Sequence, residues 1–248
     1  MIEEIKIIPL FSGSAGNCTY IEGGGARILI DAGVSARRIC TALSRLGVTE
    51  LDGVFLTHEH KDHISGLPVL HKRTGVTIHA TERSAQAAGL PCPVVTHPTL
   101  FSVRVKDLFV SSFPLSHDSA CCVGYTFACG KSKAGVMTDT GFITDEAVAS
   151  MAGVQTALIE SNHEPALLQS GPYPYYLKTR IASARGHLSN SACAEFCAFL
   201  AARGTKRFIL AHLSQQNNTP DAAYRATEQA LIARGYDAAV ECAPVAVS

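Results

Sequence analysis

The run Thr57-His58-Glu59-His60-Lys61-Asp62-His63 sets three imidazoles and a carboxylate close together, in the pattern His-x-His-x-Asp-His. Imidazole nitrogens and carboxylate oxygens are ligands for divalent metal ions, and the chemistry such a cluster supports is metal-assisted hydrolysis. Just before it lies Val54-Phe55-Leu56-Thr57, a short apolar run that reads as a buried strand. Side chains alternate along an extended backbone, so His58 and His60 point the same way at the strand's end. The chain then turns, and Asp62 and His63 face the same spot from the other side. Two metal ions sharing one loop fit this layout, one on His58 and His60, the other on Asp62 and His63. A polar turn with scattered histidines is the plain alternative. It gives no reason for three imidazoles at this spacing directly after an apolar strand.

Those four residues do not complete two shells, because each ion takes three or four protein ligands and keeps a position open for water. Three more polar residues stand at strand ends or in tight loops: His117, Asp139 and His212. A carboxylate can bind one ion with each oxygen, so Asp139 suits a bridge. His117 completes the first ion and His212 the second. Alone, each reads more readily as a hydrogen-bonded loop residue; together they supply the missing coordination. No cysteine lies in these motifs, so the donors are nitrogen and oxygen. That set fits Zn²⁺ or Mn²⁺, iron less readily, and ligand type does not choose among them. A hydroxide bridging two ions is a strong nucleophile at neutral pH, and the ions stabilise negative charge on the attacked centre.

Positioning these residues takes a core. The chain has 248 residues and is 47% hydrophobic, enough for one large domain or two intimate halves. We take residues 1–248 as one domain. Net charge is zero, so no global basic field announces a nucleic-acid partner. The start, Met1-Ile2-Glu3-Glu4-Ile5-Lys6, has no long apolar core of a secretory signal, and no apolar run reaches membrane-spanning length. Nine cysteines without a Cys-x-x-Cys read as reduced thiols of a cytoplasmic protein. Cys193 and Cys197, four apart on a predicted helix, read as core.

Strands are expected at 5–10, 18–22, 26–31, 53–57 and 76–80, then at 101–105, 108–115, 122–129, 134–138, 156–159 and 207–211. Helices are expected at 35–46, 63–73, 81–88 and 189–203. A short one follows Thr144, and a last one has Thr219 as cap, Pro220 in its first turn and Gly235 past its end. Asp31 ends a strand, where its carboxylate caps the next helix or braces a metal ligand. Glu160 ends strand 156–159. The β-then-α rhythm runs twice, from 5 to 80 and from 101 onward. Two sheets with helices outside both satisfy the layering rule for an α/β chain.

His-x-His-x-Asp-His followed by His117, Asp139 and His212 resembles the metallo-β-lactamase superfamily over nearly the whole chain. The resemblance implies an αββα sandwich, two mixed β-sheets flanked by helices, with a dinuclear site at the sheet edges. Phe11-Ser12-Gly13-Ser14-Ala15-Gly16-Asn17, Glu160-Ser161-Asn162-His163, Gly186-His187-Leu188-Ser189-Asn190 and Ala211-His212-Leu213-Ser214-Gln215-Gln216-Asn217-Asn218 together resemble its WalJ (YycJ)-type branch. Members of that branch are described as 5′-to-3′ exonucleases on double-stranded DNA. The motifs partly resemble cyclic-phosphate phosphodiesterases and tRNA 3′-processing endonucleases. In the latter, a Glu and a His at the positions of Glu160 and His187 form a catalytic pair. Their flexible exosite arm has no counterpart of comparable length here. Nucleic acid, DNA ahead of RNA, is therefore the expected partner, with no membrane and no identifiable protein partner.

Asp62, Glu160 and His187 are the candidate catalytic residues. An alkoxide leaves poorly without a proton, and a protonated imidazole at His187 can supply one. Glu160 can hold that ring and favour its charged form. The alternative is a histidine that orients a metal ligand. Candidate substrate-binding residues are Ser12, Ser14, Asn17, His163, Lys178, Arg180 and Arg185. Ser12 and Ser14 can offer hydroxyls and backbone amides to a phosphate, or simply form a turn. Residues 165–194 contain no Asp or Glu to offset Lys178, Arg180 and Arg185, and Tyr173, Tyr175 and Tyr176 can stack on bases. An ordinary solvated helix is the plain alternative. Two other functions fit the same motifs: a small-molecule hydrolase acting on a thioester or cyclic phosphate, and a metal-binding protein without activity. The second is disfavoured, since a structural site closes every coordination position.

Overall fold

The computed structural model describes residues 4–244, so the Met1-Ile2-Glu3 start, on which the expected lack of a leader rests, lies outside the described residues. The first six strands form one sheet in chain order: β1 (Lys6–Phe11), β2 (Cys18–Gly23), β3 (Ala26–Ile30), β4 (Gly53–Phe55), β5 (Ile78–Thr81) and β6 (Val95–His97). Strands β1 to β3 are an antiparallel meander, and β3 to β6 run parallel. Parallel neighbours need crossover connections. These carry α1 (Ala36–Arg45), α2 (Lys61–Ile64), α3 (Leu67–Thr74) and α4 (Glu82–Ala88).

The second sheet repeats the plan. Its strands are β7 (Ser102–Val105), β8 (Leu108–Leu115), β9 (Cys122–Cys129), β10 (Ser132–Met137), β11 (Thr156–Glu160), β12 (Arg207–Ala211) and β13 (Ala239–Cys242). Here β7 to β10 are antiparallel and β10 to β13 parallel. The connections hold α5 (Asp145–Met151), α6 (Pro165–Ser170), α7 (Tyr175–Ile181), α8 (Asn190–Ala201) and α9 (Pro220–Ile232).

Alternation along the strands builds the layers. On β12, Ile209 and Ala211 face the first sheet, where they meet Ile7, Ile28 and Phe55 alongside Tyr125 and Leu158 of their own sheet. Phe208 and Leu210 face outward against Phe196, Cys197 and Leu200 of α8 and Leu231 of α9. On β3, Ile28 and Ile30 point inward, while Leu29 packs with Ile39 of α1 and Leu70 of α3. Strands buried on both faces read as continuous apolar runs, as Arg207-Phe208-Ile209-Leu210 nearly does. The four layers are helix, sheet, sheet and helix, the αββα order expected. All nine cysteines are free thiols, and Cys193 and Cys197 lie in the outer core with sulfurs 3.9 Å apart.

Helix starts follow their caps. Thr144, Ser189 and Thr219 each accept a hydrogen bond from the backbone N–H three residues on. The helix expected at 63–73 is broken into α2 and α3. Pro68 has no N–H to offer Ile64, and a Cβ on Gly66 would lie 1.9 Å from the Val34 carbonyl oxygen. That close approach seats the histidine loop on the chain that follows β3. Helices α6 and α7 and the edge strands β6 and β13 were not expected. Each is short, and β13 alternates only between exposed and half-buried residues.

Candidate active site

Every metal-ligand candidate sits at the C-terminal end of a strand or in the segment that follows one, Asp62 and His63 in the short helix α2, at the edge shared by both sheets. Open α/β sheets place ligands at these carboxyl ends. After β4, His58 and His63 are wholly buried, and the rings of His58 lie 4.6 Å from His60 and 4.1 Å from His63. His117, from the loop between β8 and β9, places its ring 5.1 Å from both His58 and His60. Four groups of ligand atoms have all members within 4.8 Å of one another: His58, His60 and His117; Asp62, His63 and His212; His58, His63 and Asp139; and Asp139, Glu160, His187 and His212. Asp139 spans them, with Oδ2 3.5 Å from Nε2 of His63 and Oδ1 3.9 Å from Nε2 of His117.

The rings are oriented from behind. Nδ1 of His63 lies 2.7 Å from Asp31 Oδ2, and Asp31 also accepts from the Thr57 hydroxyl and backbone N–H, each at 2.8 Å. Nδ1 of His212 is 2.8 Å from Glu160 Oε1, that of His117 is 3.0 Å from the Gly186 carbonyl oxygen, and that of His58 is 3.0 Å from Thr57 Oγ1. A histidine held at Nδ1 turns Nε2 to the other side, the arrangement that fixes tautomer and aim in metal sites. Nε2 of His58, Nε2 of His212 and Oδ2 of Asp139 are buried without a hydrogen-bond partner. A buried polar group left unsatisfied costs about 1–3 kcal/mol. One such nitrogen in each half of the donor cluster, with a carboxylate oxygen between them, fits divalent cations.

Charge tells the same story. Burial and the neighbouring imidazoles of His63 and His117 hold His58 well below its ordinary value, so it is a neutral donor. Burial also disfavours charge on His63 and His212, but Asp139, with Asp31 beside the one and Asp62 and Glu160 beside the other, outweighs it and raises both well above the ordinary value.

The backbone is strained at the same points. Among the described residues four non-glycines have positive φ, and three are in the site: Asp31 and Asp139 at 62° and His212 at 56°. The left-handed region costs an L-residue roughly 1–2 kcal/mol, and such outliers gather where the surroundings over-determine them. His212 is pinned on both sides: its N–H donates to Ser12 Oγ at 2.7 Å and its carbonyl accepts from Asn162 Nδ2 at 2.9 Å. Asp31 thus braces a histidine rather than capping α1, whose cap is Ser35.

Glu160 is wholly buried at the end of β11. Its Oε2 accepts from the N–H groups of Thr140 and Leu188 at 2.9 and 3.0 Å, and its Oε1 lies 2.8 Å from Nδ1 of both His187 and His212. Burial favours its protonated form, yet the two rings outweigh burial and hold the carboxyl well below the usual range. The link to His212 was not foreseen; only the pairing with His187 was. His187 lines a pocket of 260 Å³ together with Ser14, His117, Asp118, Asn162, Tyr173 and Arg180.

The substrate candidates divide. Ser14 is exposed on that pocket. Ser12 is buried and its hydroxyl is taken up by His212, so it holds the site instead of facing a phosphate. Asn17 is buried too, accepting from the Gly13 N–H at 2.9 Å with Nδ2 3.1 Å from His63 Nε2. Arg180 Nε donates to Asp118 Oδ2 at 2.6 Å, so an acid 62 positions away offsets a charge that its own stretch leaves free. Arg185 bonds the His117 carbonyl at 3.3 Å, and Lys178 the Gln169 carbonyl at 2.8 Å. His163 lies apart, on a second pocket. Thr57, Asp118 and Asn162 belong to the site and were not singled out. Only adjacency to a ligand or motif marks them in the sequence.

A family model described as the β-lactamase superfamily domain matches residues 26–213, from β3 to just past His212. The chain belongs to the β-lactamase superfamily. Its metallo-β-lactamase fold is shared with YhfI of Bacillus subtilis, a metallo-β-lactamase fold protein, at a TM-score of 0.76 and 15% identity, covering 98% of each chain. At that identity the likeness is one of fold. In sequence, this superfamily member is 35% identical over 225 residues to Exodeoxyribonuclease WalJ of Streptococcus pneumoniae, covering 87% of this chain and 84% of that protein. It is also 35% identical over 237 residues to Exodeoxyribonuclease YycJ of Bacillus anthracis, covering 92% and 89%.

Proposed function

We propose that this chain is a metal-dependent phosphodiesterase that degrades double-stranded DNA from the 5′ end. What carries the proposal is that a chain 35% identical over most of its length to proteins named exodeoxyribonucleases gathers its nitrogen and oxygen donors at the edge of a pocket. His58, His60 and His117 would hold one divalent ion and Asp62, His63 and His212 a second, with Asp139 between them. Zn²⁺ or Mn²⁺ suits this set, iron less readily. Such ions supply an activated water and neutralise charge on the attacked phosphate.

The chain's own residues do the rest. Asp31, Thr57 and Glu160 keep the donor rings aimed, and Ser12 and Asn17 hold the loops. Ser14 and Arg180 line the approach for phosphates with Arg185 beside them, while Lys178 and His163 contact the substrate further out, across α7. His187, held at Nδ1 by Glu160, delivers a proton from its other nitrogen to the departing oxygen; Asp62 completes the catalytic set. Residues 1–248 act as one hydrolase domain. Among the described residues no helix is long and apolar enough to cross a membrane, and nine unpaired thiols favour work in the cytoplasm.

Digestion of end-labelled duplex and single-stranded DNA with Mn²⁺ or Zn²⁺, followed by product sizing, tests the proposal. Mononucleotides released from the 5′ end of duplex DNA are expected. A second reading is favoured by the pocket itself: at 260 Å³, with Arg180 paired to Asp118, it also suits a small cyclic phosphate. Turnover of a cyclic mononucleotide with no duplex digestion and no gel shift at low salt would select that reading instead.

A further inference from the structure

A second cavity, of 440 Å³, opens on the far side of α7 from the active-site pocket. The helix is a partition. Leu177, Arg180 and Ile181 line the active-site pocket, while Tyr175, Lys178, Thr179 and Ala182 line the second cavity. At 100° per residue these sets fall on opposite faces. The loop after β11 is divided in the same way, with Asn162 on the active-site side and His163 on the other.

The cavity's chemistry is specific. Pro165, Leu168 and Ala182 give apolar walls. His163 is 4% exposed, and its Nδ1 is buried without a hydrogen-bond partner. Burial holds its imidazole below the ordinary value, so a neutral ring lies in the wall. Lys178 stands at the rim, tied to the Gln169 carbonyl, and Tyr175 projects beside it, 84% exposed. Apolar walls, a neutral polar ring, an unshielded aromatic face and a cation at the mouth together match a nucleobase with its phosphate.

We propose that this cavity is a nucleobase subsite, which takes the base of a nucleotide near the scissile phosphate across α7. This rests on the nuclease reading above. A helix with its side chains is about 10–12 Å across, so the captured base belongs to a nucleotide beside the one being cleaved. Tyr176, 73% exposed and rotated away from both pocket-lining sets, stands on the crest between them. Capture of a base over that crest would draw the strand end away from its complement.

Duplexes carrying a single abasic residue, moved one position at a time inward from the 5′ end, test the assignment. The wild type is expected to slow about tenfold, the size of one lost base-stacking contact, at one position and little at its neighbours. Leu168→Trp, which fills the cavity, and Tyr175→Ala, at an exposed position, should each lower the ratio of duplex digestion to bis-p-nitrophenyl phosphate turnover. Both should also flatten the abasic profile. A flat profile in the wild type, or an unchanged peak in Tyr175→Ala, overturns the subsite while leaving the nuclease reading intact. Failure of the wild type to digest intact duplex overturns the nuclease reading and the subsite with it.

Discussion

Asp139 meets two demands at once, and they can be separated. Its carboxylate lies within 4 Å of donors in both groups, and its backbone sits at φ 62°. Asn tolerates the left-handed region; Ala there costs roughly 1–2 kcal/mol. Asp139→Asn is therefore expected to melt near the metal-free wild type, and Asp139→Ala lower, while both lose bound metal and hydrolysis together. Two ions per chain in Asp139→Asn by elemental analysis would remove Asp139 as the bridge. His187 makes a different demand. If it supplies the leaving group's proton, His187→Ala keeps metal and DNA affinity but slows DNA cleavage by about 10²–10⁴. Bis-p-nitrophenyl phosphate, whose leaving group needs no proton, should lose much less. Equal losses on both esters would make His187 a positioning residue for the site beside Glu160.

At the scale of elements, the site depends on how closely two loops pass. A Cβ on Gly33 would lie 1.6 Å from the Asp62 carbonyl oxygen, and that same carbonyl accepts from the Asn17 N–H at 2.8 Å. Gly33→Ala must push the histidine loop off the loop after β1. Overpacking of this kind costs about 1–3 kcal/mol, so urea unfolding should shift by that amount and metal content should fall with it. A variant with wild-type stability and full metal would mean that the loops have slack. Such contacts are invisible in a sequence, which explains what was legible and what was not. Strands β8, β9 and β12 could be bounded closely because apolar runs and turn residues frame them. Helix α7 could not, since Tyr-Tyr-Leu-Lys-Thr-Arg-Ile shows no clear apolar face and both its sides line pockets. The donor set could be read because His, Asp and strand-end positions coincide. The partners behind it, Asp31 to His63 and Glu160 to His212, span 32 and 52 positions and depend on register. Arg180 looked unopposed for the same reason, its acid being 62 positions away.

The whole molecule is two sheets of the same plan, and the site is where they meet. His58, His60, Asp62 and His63 come from the first half; His117, Asp139, Glu160 and His212 come from the second. Metal ions held there would tie the halves together, beyond the apolar core between the sheets. Binding to the folded state alone stabilises it by about 2.7 kcal/mol at a hundredfold excess over Kd. For a chain of this size each kcal/mol moves the melting temperature by roughly 2–4 °C. Zn²⁺ or Mn²⁺ should therefore raise melting by about 5–10 °C over the chelator-treated protein, and Asp139→Asn should gain far less. Part of the gain has a local origin, because a cation relieves the unpartnered nitrogens of His58 and His212. Hydrogen exchange separates a clamp from a local effect. If the ions join the halves, protection rises both in the loop after β4 and in the loop after β12. Protection confined to one of them, or no metal-dependent melting shift at all, would mean that the two sheets are held by their apolar core alone.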